Sequence, residues 1–230
     1  MFIPIHDGNP LRFVRFPIVT VTIIIVTSLI FVLFQSGIVI NGMNASVLAF
    51  GVVPAVVNDI ATLPDGLGFV PESATLFTYA FLHGDWMHLI GNMLFVWVFG
   101  DNVEDALGHL KFLVFYLLCA AGAAVTHILV MPASQAPLVG ASGAAAGIIA
   151  AYLMLHPNVK VWILAMGRIP LRISAAWVLG AWIVFQVFNI LIAGPDEEVA
   201  WWAHIGGLAT GAALILVMRR RGVPLFDRQS

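Results

Sequence analysis

A serine, three histidines and an asparagine stand in strongly apolar surroundings, where each such group is costly to keep. They occur as Gly140-Ala141-Ser142-Gly143, as His83-Gly84-Asp85-Trp86-Met87-His88 with Asn92 four residues on, and as Ala203-His204-Ile205-Gly206-Gly207. A serine hydroxyl is a weak nucleophile until a neighbouring base takes its proton, and neutral imidazole suits that task near neutral pH. Peptide cleavage through such a serine puts negative charge on the oxygen of a tetrahedral intermediate, which fixed donors must meet. His88, Asn92 and the backbone N–H of Ser142 are the candidates for those donors. Ser142 as nucleophile and His204 as base make a dyad. Asp85 is the nearest acid for a third member, but it shares a helix with His88 and Asn92 and is expected to face water.

These residues need a scaffold, and composition limits its kind. The chain is 61% hydrophobic and only 10% charged, with a mean hydropathy of +1.00. A soluble domain carries about a quarter charged residues, so this chain requires lipid around it. Six spans are expected, near residues 16–35, 84–101, 112–131, 138–156, 175–192 and 200–218, each long enough for a hydrocarbon core of roughly 30 Å. The first has only Arg12 and Arg15 before it and no small-x-small cleavage site after it. It reads as an anchor that stays. The expected class is therefore all-α, a polytopic membrane bundle. It comprises a short segment 1–15, a six-helix core 16–218 with a long outer loop at 36–83, and a basic tail 219–230.

Charge tests the layout independently. With the N-terminus in the cytoplasm, the cytoplasmic segments hold Arg12, Arg15, Lys111, Lys160, Arg168, Arg172, Arg219, Arg220, Arg221 and Arg228, which are all 10 Lys and Arg residues. The opposite segments hold Asp59, Asp65, Glu72, Asp196, Glu197 and Glu198 instead. A wrong number of spans would scramble this split. Both termini are then cytoplasmic, and the second, fourth and sixth spans enter from the other side. Ser142, His88 and His204 are expected about four residues inside their helices, roughly 6 Å along the axis.

Spacing within the spans agrees. His88 and Asn92 share a helix face at i and i+4, and His204, Gly207 and Gly211 form a stripe on the sixth. Gly143 and Gly147 flank alanines on the fourth, and small residues at this spacing let membrane helices approach closely. That approach is what a Ser142–His204 hydrogen bond needs. The single cysteine, Cys119, reads as a small apolar filler. No basic patch beyond the membrane margins suggests a nucleic-acid partner. The outer loop, with its Pro and Gly content, is expected at the interface rather than as a further straight span.

The three motifs resemble those of the rhomboid family of intramembrane proteases. Gly140–Gly143 is similar to that family's Gly-x-Ser-Gly nucleophile motif. His83, His88 and Asn92 match its second-helix pattern, and Ala203–Gly207 with Gly211 resembles its histidine motif. Gly100, Glu104, Gly108, Phe112 and Tyr116, each four apart, are similar to its segment between the second and third helices. The resemblance implies a six-helix fold, Ser142 as nucleophile, His204 as general base, His88 and Asn92 as oxyanion donors, and His83 and Gly140 in support. It also implies transmembrane proteins as substrates, no metal or cofactor, and the fifth span as a lateral gate. The minimal six-helix build points to a bacterial-type inner membrane, with an organelle membrane as the alternative, and the charge split turns the site toward the non-cytoplasmic side. Two departures stand out. Ala74-Thr75 occupy about the place of a Trp-Arg pair found in some members. Ala146 stands where some members carry an aromatic residue that packs on the histidine.

Each residue alone has a plainer reading: Ser142 as helix packing, His204 as an interfacial histidine, Asn92 as a helix–helix hydrogen bond. His6 and His109 are expected to be solvated, His156 to end a helix, Glu104 to tie down a turn, and Trp201 and Trp202 to form an aromatic belt. Two rival functions remain. A zinc-dependent membrane hydrolase would use His83, His88 and His204, with His127 as a fourth candidate. An inactive rhomboid-like protein would bind membrane proteins without cutting them.

Overall fold

A computed structural model describes residues 2–192 and 200–227 of the 230-residue chain. Asp196, Glu197, Glu198 and Arg228, used above in the charge argument, lie outside the described residues. The structure is mostly helical. A strand β1 (Phe2–Asp7) leads to α1 (Ile18–Ile30), which continues through a π-helical turn, Phe31–Gln35. The outer loop folds into the short α-helices α2 (Met43–Phe50), α3 (Pro54–Val57) and α4 (Glu72–Thr78), the last continued by a 3-10 turn, Tyr79–Phe81. Then follow α5 (Trp86–Leu107), α6 (His109–Val130), α7 (Ser142–Leu155), a hairpin of β2 (Lys160–Ala165) and β3 (Ile169–Ser174), α8 (Ala175–Ile192) and α9 (Trp201–Met218).

Among the described residues, four helical segments are long and apolar enough to cross a membrane: Ile18–Gln35, His109–Val130, Ala175–Ile192 and Trp201–Met218. Their outward faces carry large apolar side chains, such as Trp177, Leu191 and Val217, each more than three-quarters exposed. Lipid is the solvent that makes such a surface stable, and the chain is a multi-pass membrane protein. The two other expected spans differ in build. α5 runs six residues past the expected end and carries Asp101, Glu104 and Asp105 in its last two turns. α7 begins four residues later than expected and has only 14. Ser142 is thus the first residue of its helix, not one turn inside it. Its neighbours Leu138 and Val139 are spent in an extended approach in which Leu138 pairs with Val52 through two backbone hydrogen bonds, 3.1 and 2.7 Å.

The expectation of an all-α chain needs correction. β1, β2 and β3 form an antiparallel sheet with β2 in the centre. Met166 and Gly167, both at positive φ, make the turn between β2 and β3, closed by Arg168 N–H donating to Ala165 O at 3.1 Å. That backbone twist suits a hairpin. Pro4 is tolerated in β1 because β1 is an edge strand, and the register shifts beside it. Strands this short lie below the length at which an apolar run can be told from the end of a span.

The sheet is fastened to the bundle by buried polar groups at the end of α5. Asp7 accepts from Tyr152 Oη at 2.5 Å and from Asn102 Nδ2 at 3.0 Å, and Asn9 donates to Asn102 at 2.6 Å. Asp105 accepts the backbone N–H groups of Arg12, Phe13 and Val14 at 2.9, 2.6 and 2.6 Å. Glu104, fully buried, accepts from the N–H groups of Val19 and Thr20 and from the Thr20 hydroxyl. These N–H groups belong to the first turn of α1 and have no acceptor within the helix. Glu104 is therefore the cap of α1, reached across 84 residues of sequence. It also meets His109 Nδ1 at 2.5 Å, so His109 is paired where a solvated side chain was expected. His156 ends α7 as expected and is paired with Asp227 at 2.7 Å.

Burial pushes the Asp7 carboxyl up from its ordinary 3.8 to about 6. A folded-state value two units above the unfolded one corresponds to roughly 3 kcal/mol of folding free energy. Because the shift is upward, that contribution is complete below about pH 4 and is lost as pH rises through about 6. Thermal unfolding of the detergent-solubilised protein should show the gap between parent and Asp7→Asn changing across pH 4–6. A gap that stays constant through that window would contradict the burial of a titrating Asp7.

Candidate active site

Ser142, His204 and their neighbours come together because α7 and α9 touch backbone to backbone. A Cβ placed on Gly207 would strike Gly143 O and lie 2.9 Å from the carbonyl carbon of Gly143; one on Gly211 would strike Gly147 O and lie 2.5 Å from Gly147 Cα. On the other side of the seam, a Cβ on Gly147 would hit Cys119 Sγ, and one on Gly143 would approach Ala123 Cβ to 2.5 Å. Cys119 is fully buried there as a filler. No side chain larger than hydrogen fits at these crossings.

The consequence is one short hydrogen bond. His204 Nε2 lies 2.9 Å from Ser142 Oγ, and His204 is 9% exposed. Ser142 opens α7, so its N–H and those of the next two residues have no acceptor within the helix and point toward the same side. The helix dipole adds positive potential at that end. An oxygen that acquires negative charge beside Ser142 would be stabilised there.

The second-helix residues line the approach to Ser142. Asn92 Nδ2 donates to His83 Nε2 at 3.0 Å, and the N–H of Ala141 reaches the same ring nitrogen at 3.4 Å. His83 is fully buried, and its own N–H donates to Gln35 Oε1 at 3.0 Å. It thereby ties α5 and the π-helical end of α1 to the segment before the serine. Gly140 sits between the two sides at φ +117°, where a Cβ would lie 2.6 Å from His88 Nε2 and 3.5 Å from Asn92 Nδ2. The position demands glycine on conformational and on steric grounds. Its N–H is fixed by Tyr79 O at 3.0 Å. The His88 ring stands edge-on to His83, 5.0 Å between centroids. Asp85 is exposed and caps α5 by accepting the His88 N–H at 2.8 Å.

Two features were not expected. Gln186 of α8, 2% exposed, has its Oε1 2.8 Å from His204 Nδ1. Its signal in the sequence is a lone glutamine in an apolar span. Trp201 is also more than a belt residue: its ring stands edge-on to His204 at 5.9 Å, and Trp182 of α8 lies against the same imidazole at 5.9 Å. Ala146, fully buried, leaves no ring on α7 for this purpose. His127, also buried, has an unpartnered Nδ1. Among the described residues, no three His, Cys, Asp or Glu side chains are grouped to hold a metal ion.

A family model of the rhomboid domain matches residues 70–221. The chain belongs to the rhomboid family. The matched stretch covers α5 to α9 and every residue named for the site except Gln35. Curated relatives include the chloroplastic rhomboid-like protein 11 of Arabidopsis thaliana, 37% identical over 154 residues, 62% of this chain and 51% of that protein. The mitochondrial rhomboid-like protein 6 of the same plant is 31% identical over 150 residues, 64% and 45% of the two chains. The rhomboid protease GlpG of Klebsiella pneumoniae is 27% identical over 150 residues, 64% and 49%. The chain thus spans about half the length of these relatives. Their names divide among chloroplast, mitochondrion and a bacterium, and give the expected bacterial inner membrane no support.

The glycine seam is directly testable. Overpacking a tight contact costs about 1–3 kcal/mol, and each kcal/mol lowers the midpoint of a protein this size by roughly 2–4 °C. Gly207→Ala should therefore melt several degrees below the parent. Gly180→Ala on α8, where a Cβ meets nothing within 4 Å, should melt at or above the parent. Equal midpoints for the two variants would remove the seam from the account.

Proposed function

We propose that this protein is an intramembrane serine endopeptidase that cleaves membrane-spanning segments of other proteins. The observation that carries the reading is the 2.9 Å contact between His204 Nε2 and Ser142 Oγ at the half-buried start of α7. Family membership supports it, as does the protease named among the relatives.

In this reading His204 takes the Ser142 proton as Oγ attacks a substrate carbonyl. The oxyanion of the tetrahedral intermediate is met by the Ser142 N–H, helped by the α7 dipole and by His88 and Asn92. His83 holds Asn92 at 3.0 Å, and Gly140 keeps the space between the two sides open. The imidazolium then gives its proton to the leaving amine, and water, activated by the same imidazole, releases the acyl group from Ser142. All six long or apolar helices, α1 and α5 to α9, cross the membrane, with both termini in the cytoplasm and the site toward the other side. The segregation of basic residues supports that orientation.

A transmembrane helix hides its carbonyls in its own hydrogen bonds, so it must unwind locally before attack. Substrates should carry glycine, proline or other weak helix formers near the cut, with a small residue just before it. Replacing those residues by leucine and alanine should slow cleavage at least tenfold; an unchanged rate would refute this requirement. The reaction class is tested with a single-pass transmembrane substrate and purified protein in detergent. Ser142→Ala and His204→Ala should each abolish cleavage, and a chelator should change nothing. Cleavage that survives Ser142→Ala but stops with chelator would favour a metal hydrolase. No cleavage by the parent across a panel of such substrates would favour an inactive membrane-protein binder.

A further inference from the structure

Histidine can serve Ser142 only if Nε2 is the unprotonated nitrogen, which requires the proton to be held on Nδ1. In serine hydrolases with a third member, a group beyond the imidazole holds that proton and the ring orientation. Among the described residues no acid does so: Asp85 caps α5, and Asp101 and Asp105 sit in the last two turns of the same helix, beyond His88 and Asn92.

We propose that Gln186 is the positioning residue for His204, so that α8 supplies the orientation of the base. The inference rests on the protease reading above. Gln186 Oε1 stands 2.8 Å from His204 Nδ1, while its Nε2 donates to Trp182 O at 3.1 Å, one turn earlier on the same helix. Those two bonds fix the amide. Turned over, it would put its oxygen against the Trp182 carbonyl, two acceptors face to face, and would aim N–H groups at Nδ1. That inverted arrangement would select the tautomer with the proton on Nε2, the wrong nitrogen for deprotonating Ser142. Only the observed arrangement pairs every group: Trp182 O accepts, Gln186 Oε1 accepts from Nδ1–H, and Nε2 faces the Ser142 hydroxyl.

Burial points the same way. α8 is the most outward-facing of the long apolar helices, with Trp177, Val184, Phe188 and Leu191 all more than half exposed. Gln186 on that helix is 2% exposed. A glutamine turned inward in such an apolar helix is retained against its desolvation cost only where its polar atoms find partners, and His204 is the partner. Trp182, four residues earlier on the same face, flanks the imidazole ring. α8 therefore provides both the hydrogen-bond acceptor and one aromatic wall, and Ala146 on α7 provides neither. A displacement of α8 from α9 would remove both together, leaving Ser142 next to a base free to rotate and change tautomer.

The test uses steady-state cleavage of a transmembrane substrate in detergent by Gln186→Leu and Gln186→Glu, beside the parent and Ser142→Ala, with thermal midpoints for all. Gln186→Leu keeps volume but removes the acceptor. It should lower kcat at least tenfold, leave KM within about twofold and melt within a few degrees of the parent. Gln186→Glu restores an acceptor and should keep kcat within about threefold. Two results would overturn the assignment: kcat unchanged in Gln186→Leu, or equal losses in the Leu and Glu variants, which would mark a packing role only. A parent rate that persists in Ser142→Ala would instead bring down the protease reading itself, which separates the two failures.

Discussion

Everything at the site depends on how closely two helices can approach. The hydroxyl and the imidazole come from α7 and α9, and the 2.9 Å bond between them holds only at one separation and rotation of the two helices. Gly207 and Gly211 lack the side chains that would strike the backbone of Gly143 and Gly147 and hold α9 away from α7, while Gly143 and Gly147 make room in the same way for Ala123 and Cys119 of α6. Lipid gives no hydrophobic drive for helices to associate, so this backbone packing carries much of the cohesion as well as the geometry. One feature thus sets both the stability of the core and the relative position of Ser142 and His204.

Around that seam the rest of the chain works as a set of anchors. At one end, His83 links Asn92, Ala141 and the π-helical end of α1, and the Val52–Leu138 pairing fixes the strand that delivers Ser142. At the other end, Glu104 and Asp105 cap the start of α1 and the turn before it, and Asp7 ties the sheet to α5 and α7. The last described residues return to α7, where Phe226 and Asp227 donate their N–H groups to Met154 and Leu155. Both ends of α7 are held, whereas α8 is the least buried of the four long apolar helices. Its one buried amide is spent on His204.

The sequence made the polar constellation legible because the residues that stand out in an apolar chain are few. Ser142, His204, His83 and Asn92 were each recognisable from composition and spacing, and the glycine stripes named the two helices that touch. Helix starts were less legible. Leu138 and Val139 are as apolar as the residues of α7, so hydropathy placed them inside a span, whereas backbone pairing to Val52 holds them extended. The sheet was missed because six-residue strands beside membrane spans carry no periodicity distinct from the spans themselves. Gln186 was missed for a different reason. Nothing in a lone glutamine tells which way it points, and only the rotation of α8 against α9 aims it at His204. Glu104 shows the same limit: a buried carboxylate could be expected to tie something down, but not the N-terminus of a helix 84 residues earlier.

The account's central claim is that Ser142 is made nucleophilic by His204. The most direct measurement is mass-spectrometric mapping of the adduct formed when the purified protein is treated with a fluorophosphonate. The account predicts a single adduct, on Ser142, that vanishes in His204→Ala while the variant keeps the parent's melting midpoint. An adduct on another residue, or labelling of Ser142 that proceeds equally without the imidazole, would contradict it.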